Sequence, residues 1–220
     1  MYVLALDTAT ETTSVAVVAL ESGPTLRLVA AASHTDARAH GEVLAPLLAQ
    51  CLAGLPEPVA AVVVGVGPGP FTGLRVGLVT AAVYGHARGL PVHGVCSLDA
   101  LGRHGPCLAV TDARRREIYH AAYDAAGRRV AGPAVARPGA VAAQVAAGEL
   151  PTGGRLVGPT ASRWADEFPG LTAVDTPLDP AALVAVAAAD LLAARAPGPL
   201  VPRYLRHPDA VPQPAAAPRA

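Results

Sequence analysis

The stretch with the plainest chemical possibility is AVVVGVGPGPFTGLRVG, residues 61 to 77, where a run of β-formers is broken by five glycines and two prolines. A strand that feeds a glycine-rich turn and then a helix can hold an anion, because the unpaired backbone N–H groups of a helix N-terminus attract negative charge. All 17 cationic side chains are arginine, however. A GxxxxGK phosphate loop is therefore excluded, since the lysine that reaches the phosphates does not exist. Metal chemistry finds little support: His34 and His40 are six residues apart, off a shared helix face, and no HxxxH or HExxH pair occurs. His86, His93, His104, His120 and His207 stand alone and read as surface or packing residues. There is no GxSxG elbow, and Ser97 sits in VCSLD without flanking glycines. Cys51, Cys96 and Cys107 are odd in number and form no CxxC, which argues against a disulfide framework or structural zinc and for a reducing compartment.

The elements that would position any site come next. At 220 residues, 52% hydrophobic and 15% charged, the chain can bury a core as one domain or two small, closely packed ones. Net charge is +0, so no overall field draws it to nucleic acid or an anionic membrane. The N-terminus MYVLALDTAT lacks a basic segment, and no apolar run reaches the roughly 18 residues a bilayer span needs. The expectation is a soluble, cytoplasmic protein.

Tyr2 to Leu6, SVAVVAL and Leu26 to Ala32 read as three strands in a meander. From Gly41 the period changes: Leu44, Leu47, Leu48, Cys51, Leu52 and Leu55 share one helix face, with Pro46 expected near the first turn. The strand VAAVVVGV leads into the glycine turn and a helix over about Thr72 to Arg88. Then CLAVTDARRREIYHAAYD reads as strand, tight turn, strand, echoing LALDTATETTSVAVV in pattern and in the placement of an aspartate. That echo predicts two lobes, each opening with a hairpin that carries an Asp at the end of its first strand. Helical stretches follow around Ala140 to Ala147, Thr160 to Glu167 and Pro180 to Arg195, with a short strand RLVG between the first two. The expected divisions are an N-terminal lobe over 1–100, a second, degenerate lobe over 101–196 whose last helix is free to pack back on the first, and a Pro-rich tail over 197–220, disordered at its end.

Gly73, Gly77, Ala81 and Gly85 recur every four residues along the second helix. Each mid-helix glycine costs up to about 1 kcal/mol relative to alanine, so the stripe asks for a packing reason. A smooth stripe lets another helix approach closely. It is either packing within the domain or the meeting face of a helix pair, 41–55 and 72–88, offered to a partner. On the second reading Gly77→Leu folds but fails to pair.

LALDTATETTSVAV, HGEVLAPLL, GPGPFTGLRVG, DARRREIYHAAY and PRYLR, in this order from about residue 2 to 206, resemble the TsaB (YeaZ) family. The resemblance implies an α/β, actin-like ATPase (RNase H-like) fold of the ASKHA type: two lobes, each with a mixed β-sheet flanked by helices. In active members of that superfamily a turn such as that around Asp7, Thr8 and Thr10 holds phosphate and magnesium, and a glycine beside the second aspartate lets backbone approach the phosphate. Here Asp112 is followed by Ala113, Arg114, Arg115 and Arg116. The reading is therefore a vestigial nucleotide site at Asp7, Thr8 and Thr10, without a complete ATP site. The family role implied is that of a non-catalytic subunit in N6-threonylcarbamoyladenosine formation on tRNA. It pairs with and activates a TsaD-like paralogue, which carries the metal, while a TsaE-like protein supplies ATPase activity. On this view the chain has no cofactor of its own, reaches tRNA through the complex, and forms a homodimer when alone. The partner-binding face carries over to Leu44, Leu48, Gly73, Gly77 and Ala81. Two departures stand out. Pro70 replaces a family serine, leaving Thr72 to cap the helix, and His120 replaces a large aromatic. An active kinase or ATPase of the same superfamily, and a metallopeptidase, remain the alternatives, to be told apart by nucleotide binding and by bound metal.

Overall fold

The computed structural model describes residues 1–21, 25–103 and 105–206. The expected disorder at the chain's end and the reading of His104 and His207 lie outside the described residues. The N-terminal half runs β1 (Tyr2–Asp7), β2 (Thr12–Leu20), β3 (Leu26–Thr35), α1 (His40–Leu52), β4 (Val59–Gly65), α2 (Phe71–Arg88), β5 (Val92–Val95) and the short α3 (Asp99–Gly102). The second half runs β6 (Cys107–Asp112), β7 (Ile118–Tyr123), β8 (Arg129–Ala136), α4 (Pro138–Ala146), β9 (Arg155–Gly158), a 3-10 helix (Ala161–Glu167), β10 (Thr172–Asp175) and α5 (Pro180–Leu192).

The two sheets repeat one plan. The first has order β3-β2-β1-β4-β5 and the second, from its hairpin edge, β8-β7-β6-β9-β10. In each, an antiparallel meander is extended by parallel strands beyond its first strand. This is an α/β, two-lobed actin-like fold, and it matches the sequence echo of the two hairpins. Asp7 pairs with Ser14 at the end of β1, and Asp112 pairs with Ile118 at the corresponding end of β6.

The first sheet is covered on both faces, which is why β1, β2 and β4 read as near-continuous apolar runs. Successive β2 residues report the two sides: Thr13 bonds His40 of α1, whereas Ser14 turns toward Leu178, just before α5. α5, last in the chain, packs on β1, β2, β4 and β5 of the first lobe. The main core cluster therefore joins both lobes, from Leu4 and Val63 to Tyr119 and Val157. A second cluster under α4 gathers Leu108, Ile118, Val141, Leu156, Trp164 and Phe168.

Several local expectations shift. α1 starts at His40, so Pro46 falls in its second turn, where the missing N–H is tolerated on the exposed side. α2 begins at Phe71 from Pro70 with no side-chain cap, and Thr72 does not supply one. Its other end closes on Gly89 at φ 64, the left-handed stop that glycine adopts without strain. The stretch at 160–167 is a 3-10 turn rather than an α-helix. The segment expected to open a tail is instead a strap across both lobes. Arg203 N–H donates to Val66 O at 2.8 Å, and Tyr204 stacks on Phe71 at 4.8 Å. Arg206 donates to Ala113 O at 2.5 Å and faces Glu117 at 3.3 Å.

Candidate functional site

The β1–β2 turn is built around Asp7, 1% exposed. Its Oδ2 accepts from Ser97 Oγ at 2.5 Å and its Oδ1 from Ala9 N–H at 2.7 Å. Burial raises its pKa above the ordinary carboxylate value, and the two hydrogen bonds oppose that shift. Thr8 is fully buried and donates to Gly73 O at 2.8 Å. Of the three residues read as a vestigial nucleotide site, Asp7 and Thr8 are thus turned inward and committed, and Thr10 alone lines the cleft between the lobes. Ser97, set aside in the sequence for want of glycines, is the group that holds Asp7; its Oγ also accepts from Gly67 N–H at 3.2 Å.

The glycine run is the other half of this lock. A Cβ on Gly65 would strike the Asp7 carboxylate, and one on Gly69 would come 2.5 Å from Ala9 O. The loop therefore packs on the β1–β2 turn and leaves no room there for a phosphate. The helical stripe turns the same way. A Cβ on Gly73 would lie 2.6 Å from Thr8 O, one on Gly77 would collide with Thr8 Oγ1, and Gly85 lies against Val92. Leu44, Leu48 and Ala81 are likewise buried in the core. The five residues assigned to partner binding face the interior of this chain, because α2 must approach β1 closely enough for Thr8 to reach Gly73. What α1 and α2 show to solvent is a different face: Phe71, Val79 and Val83, 40%, 60% and 62% exposed, with Ala45 and Ala49 of α1 also exposed. Arg75 lies over the Phe71 ring, 3.9 Å from its centroid.

Between the lobes opens a cleft of about 350 Å³ lined by both hairpins, with Thr10 and Glu11 on one side and Thr111, Asp112 and Arg114–Arg116 on the other, closed by Thr160 and Arg163. Arg114, Arg115 and Arg116 have φ of 64°, 51° and 60°. Three consecutive non-glycine residues in the left-handed region cost roughly 1–2 kcal/mol each, and the turn is held by Asp112 accepting from Arg114 N–H at 2.7 Å. Arg163 pairs with Asp112 at 2.9 Å.

A family model described as TsaD, tRNA N6-adenosine threonylcarbamoyltransferase, matches residues 30–160, more than half of the chain. The chain belongs to this family. Within it the chain sits with the TsaB (YeaZ) proteins of the ASKHA superfamily. A Pseudomonas aeruginosa structure, described as an uncharacterized protein similar to peptidase YeaZ, superposes with a TM-score of 0.72 at 28% identity, covering 93% of this chain and 99% of that one. YeaZ from Pseudomonas aeruginosa gives 0.69 at 25% identity, covering 90% and 96%. An uncharacterized protein of Mycobacterium tuberculosis H37Rv is 46% identical over 215 residues, 96% of this chain and 94% of the relative. The tRNA threonylcarbamoyladenosine biosynthesis protein TsaB of Bacillus subtilis is 36% identical over 73 residues, 31% of this chain and 32% of that protein. The link to threonylcarbamoyladenosine biosynthesis thus comes with TsaB membership. Among the described residues no three His, Cys, Asp or Glu side chains gather where they could hold a metal ion, and no helix is long and apolar enough to cross a membrane.

Proposed function

We propose that this TsaB-type chain is the non-catalytic subunit that pairs with and activates a TsaD-like threonylcarbamoyltransferase, alongside a TsaE-like ATPase, in forming N6-threonylcarbamoyladenosine on tRNA. The observation that carries the reading is the outward apolar face of α2, where Val79 and Val83 stand exposed one helical turn apart. Full burial of a valine stabilises by about 1.5–3 kcal/mol, so a chain that leaves two side by side in water gains by covering them. The occupant that family membership supplies is the related lobe of the paralogue, with a second copy of this chain taking its place when the paralogue is absent. Transfer chemistry and its metal belong to the partner, and the near-neutral chain meets tRNA through the complex. The three free, buried cysteines agree with a reducing cytoplasm.

The test is co-purification with the TsaD-like paralogue of the same organism. Val79→Asp/Val83→Asp places two charges on the face while leaving the core untouched. Affinity for the paralogue is expected to fall about 100-fold or more, with an unchanged melting temperature and a matching loss of threonylcarbamoylation in a reconstituted assay. Sedimentation of the variant alone should show loss of the homodimer. Normal pairing by the folded variant would remove this face from the interface, and a wild type that never pairs would remove the proposed role.

A further inference from the structure

A pocket of about 260 Å³ lies between β5, α5 and the start of the strap, and it shares no residue with the exposed face of α2. His93 of β5 lines it, is only 7% exposed, and meets no hydrogen-bond partner among the described residues. A buried polar ring left unbonded is costly unless something enters to bond it. Its nitrogens stay open to the pocket, whereas His120 Nδ1 is sealed inside the second lobe. The same walls carry two carboxylates, Asp99 and Asp190, and one guanidinium, Arg203. Each aspartate spends one oxygen within the protein. Asp99 Oδ1 accepts from Tyr123 OH at 2.8 Å and faces Arg129 at 3.2 Å, and Asp190 Oδ1 accepts from Arg195 at 2.6 Å. Their Oδ2 atoms accept no hydrogen bond among the described residues. Arg203 is rooted by its backbone N–H on Val66 O at 2.8 Å, and its guanidinium meets no ion-pair partner among the described residues.

We propose that this pocket binds a free α-amino acid as its zwitterion, the carboxylate on Arg203 and the ammonium between Asp190 and the His93 ring. A simple anion would meet two carboxylates, and a simple cation would meet the guanidinium; a zwitterion offers each wall the opposite charge. The guanidinium fork matches a carboxylate in geometry as well as in sign. Burial pushes the His93 pKa below its ordinary value and Asp190 opposes the shift, so near pH 7 the ring is neutral and presents a lone pair to an N–H donor. The volume lies just under the roughly 300–1,000 Å³ of pockets for drug-sized ligands, which suits a molecule of this size. Residues 196–199 roof the pocket, so its occupant would also hold down the strap that joins the lobes. The inference goes beyond subunit pairing and gives the chain a ligand of its own.

Ligand-observed saturation-transfer NMR on the full chain, with each proteinogenic L-amino acid offered singly at low salt, tests it. At least one is expected to bind with a Kd of about 1 mM or tighter. Its decarboxylated amine and its deaminated acid should each bind at least roughly tenfold more weakly. Arg203→Gln, Asp190→Asn and His93→Phe should each weaken the amino acid roughly tenfold, with the melting temperature of the free protein unchanged. Asp190→Asn keeps an oxygen for Arg195, and His93→Phe keeps a ring in the space while removing the acceptor. Absence of binding by every amino acid up to about 10 mM would overturn the proposal. So would affinity indifferent to all three substitutions, or an amine or acid that binds as tightly as the parent amino acid, which would make this a site for one charge only.

Discussion

Gly77→Leu is expected to abolish stable folding, and Gly77→Ala to cost about 1–3 kcal/mol. A Cβ at this position collides with Thr8 Oγ1, and Thr8 is fully buried with its hydroxyl already bonded to Gly73 O. Rotating the hydroxyl away relieves the collision but gives up that hydrogen bond, worth about 1 kcal/mol net and more if the buried Thr8 hydroxyl is left unpaired. The better helix propensity of alanine returns up to about 1 kcal/mol, too little to offset overpacking plus the lost bond. Leucine adds three carbons with nowhere to go. The decisive measurement is urea denaturation of Gly77→Ala, Thr8→Ala and the double variant. If the collision is the cause, the double variant loses less than the two single losses added together, because removing the Thr8 hydroxyl makes the room that the new methyl needs. A Gly77→Leu protein that melts like wild type would mean that the stripe faces outward after all.

The stripe shows where sequence reading reaches and where it stops. Small residues every four positions announce a close approach, but the pattern does not say what approaches. The answer is Thr8, 65 residues away in sequence, and only the βββαβα topology brings it there. The hairpin echo was more legible, because alternation and a terminal aspartate are local features that each strand carries within itself; the matching strand orders of the two sheets follow from it. Elements with little local signal were not anticipated. β5 and β10 are four residues long, and β8 is interrupted by Gly132 and Pro133. Their pairing is decided by neighbouring strands rather than by their own periodicity. The arginine turn is legible as bulk where glycine would ease approach, but its left-handed backbone is a property of the folded hairpin. Apolar residues on both sides of α2 leave the choice of inner face open in the sequence, and in the structure the small-residue stripe is that inner face.

Ser97→Ala should cost roughly 2–3 kcal/mol near neutral pH, the price of leaving a buried carboxylate oxygen without its donor, and the deficit should shrink on acidification. Asp7 sits under opposing influences: burial raises its pKa and the bonds from Ser97 and Ala9 lower it, with burial the larger. Its folded pKa is therefore above the ordinary 3.8, so the folded state holds this proton more tightly than the unfolded chain does. Asp7's contribution to stability is fully present below that value and is lost as the pH rises through the folded pKa. Removing Ser97 takes away one of the two bonds that favour the ionised form, which pushes the folded pKa higher still and deepens the loss at neutral pH. Below the unfolded value Asp7 is protonated in both states and needs one donor fewer, so the variant approaches wild type. Denaturation at about pH 3, below the unfolded value, and at about pH 7 reads the difference directly. Asp7→Asn should flatten the pH dependence, and Asp7→Asn/Ser97→Ala should recover much of the stability that Ser97→Ala loses at neutral pH, since no charge is left to strand. A Ser97→Ala deficit equal at both pH values would mean that Ser97 acts by packing alone, and that Asp7 is held by its neighbours in the glycine loop.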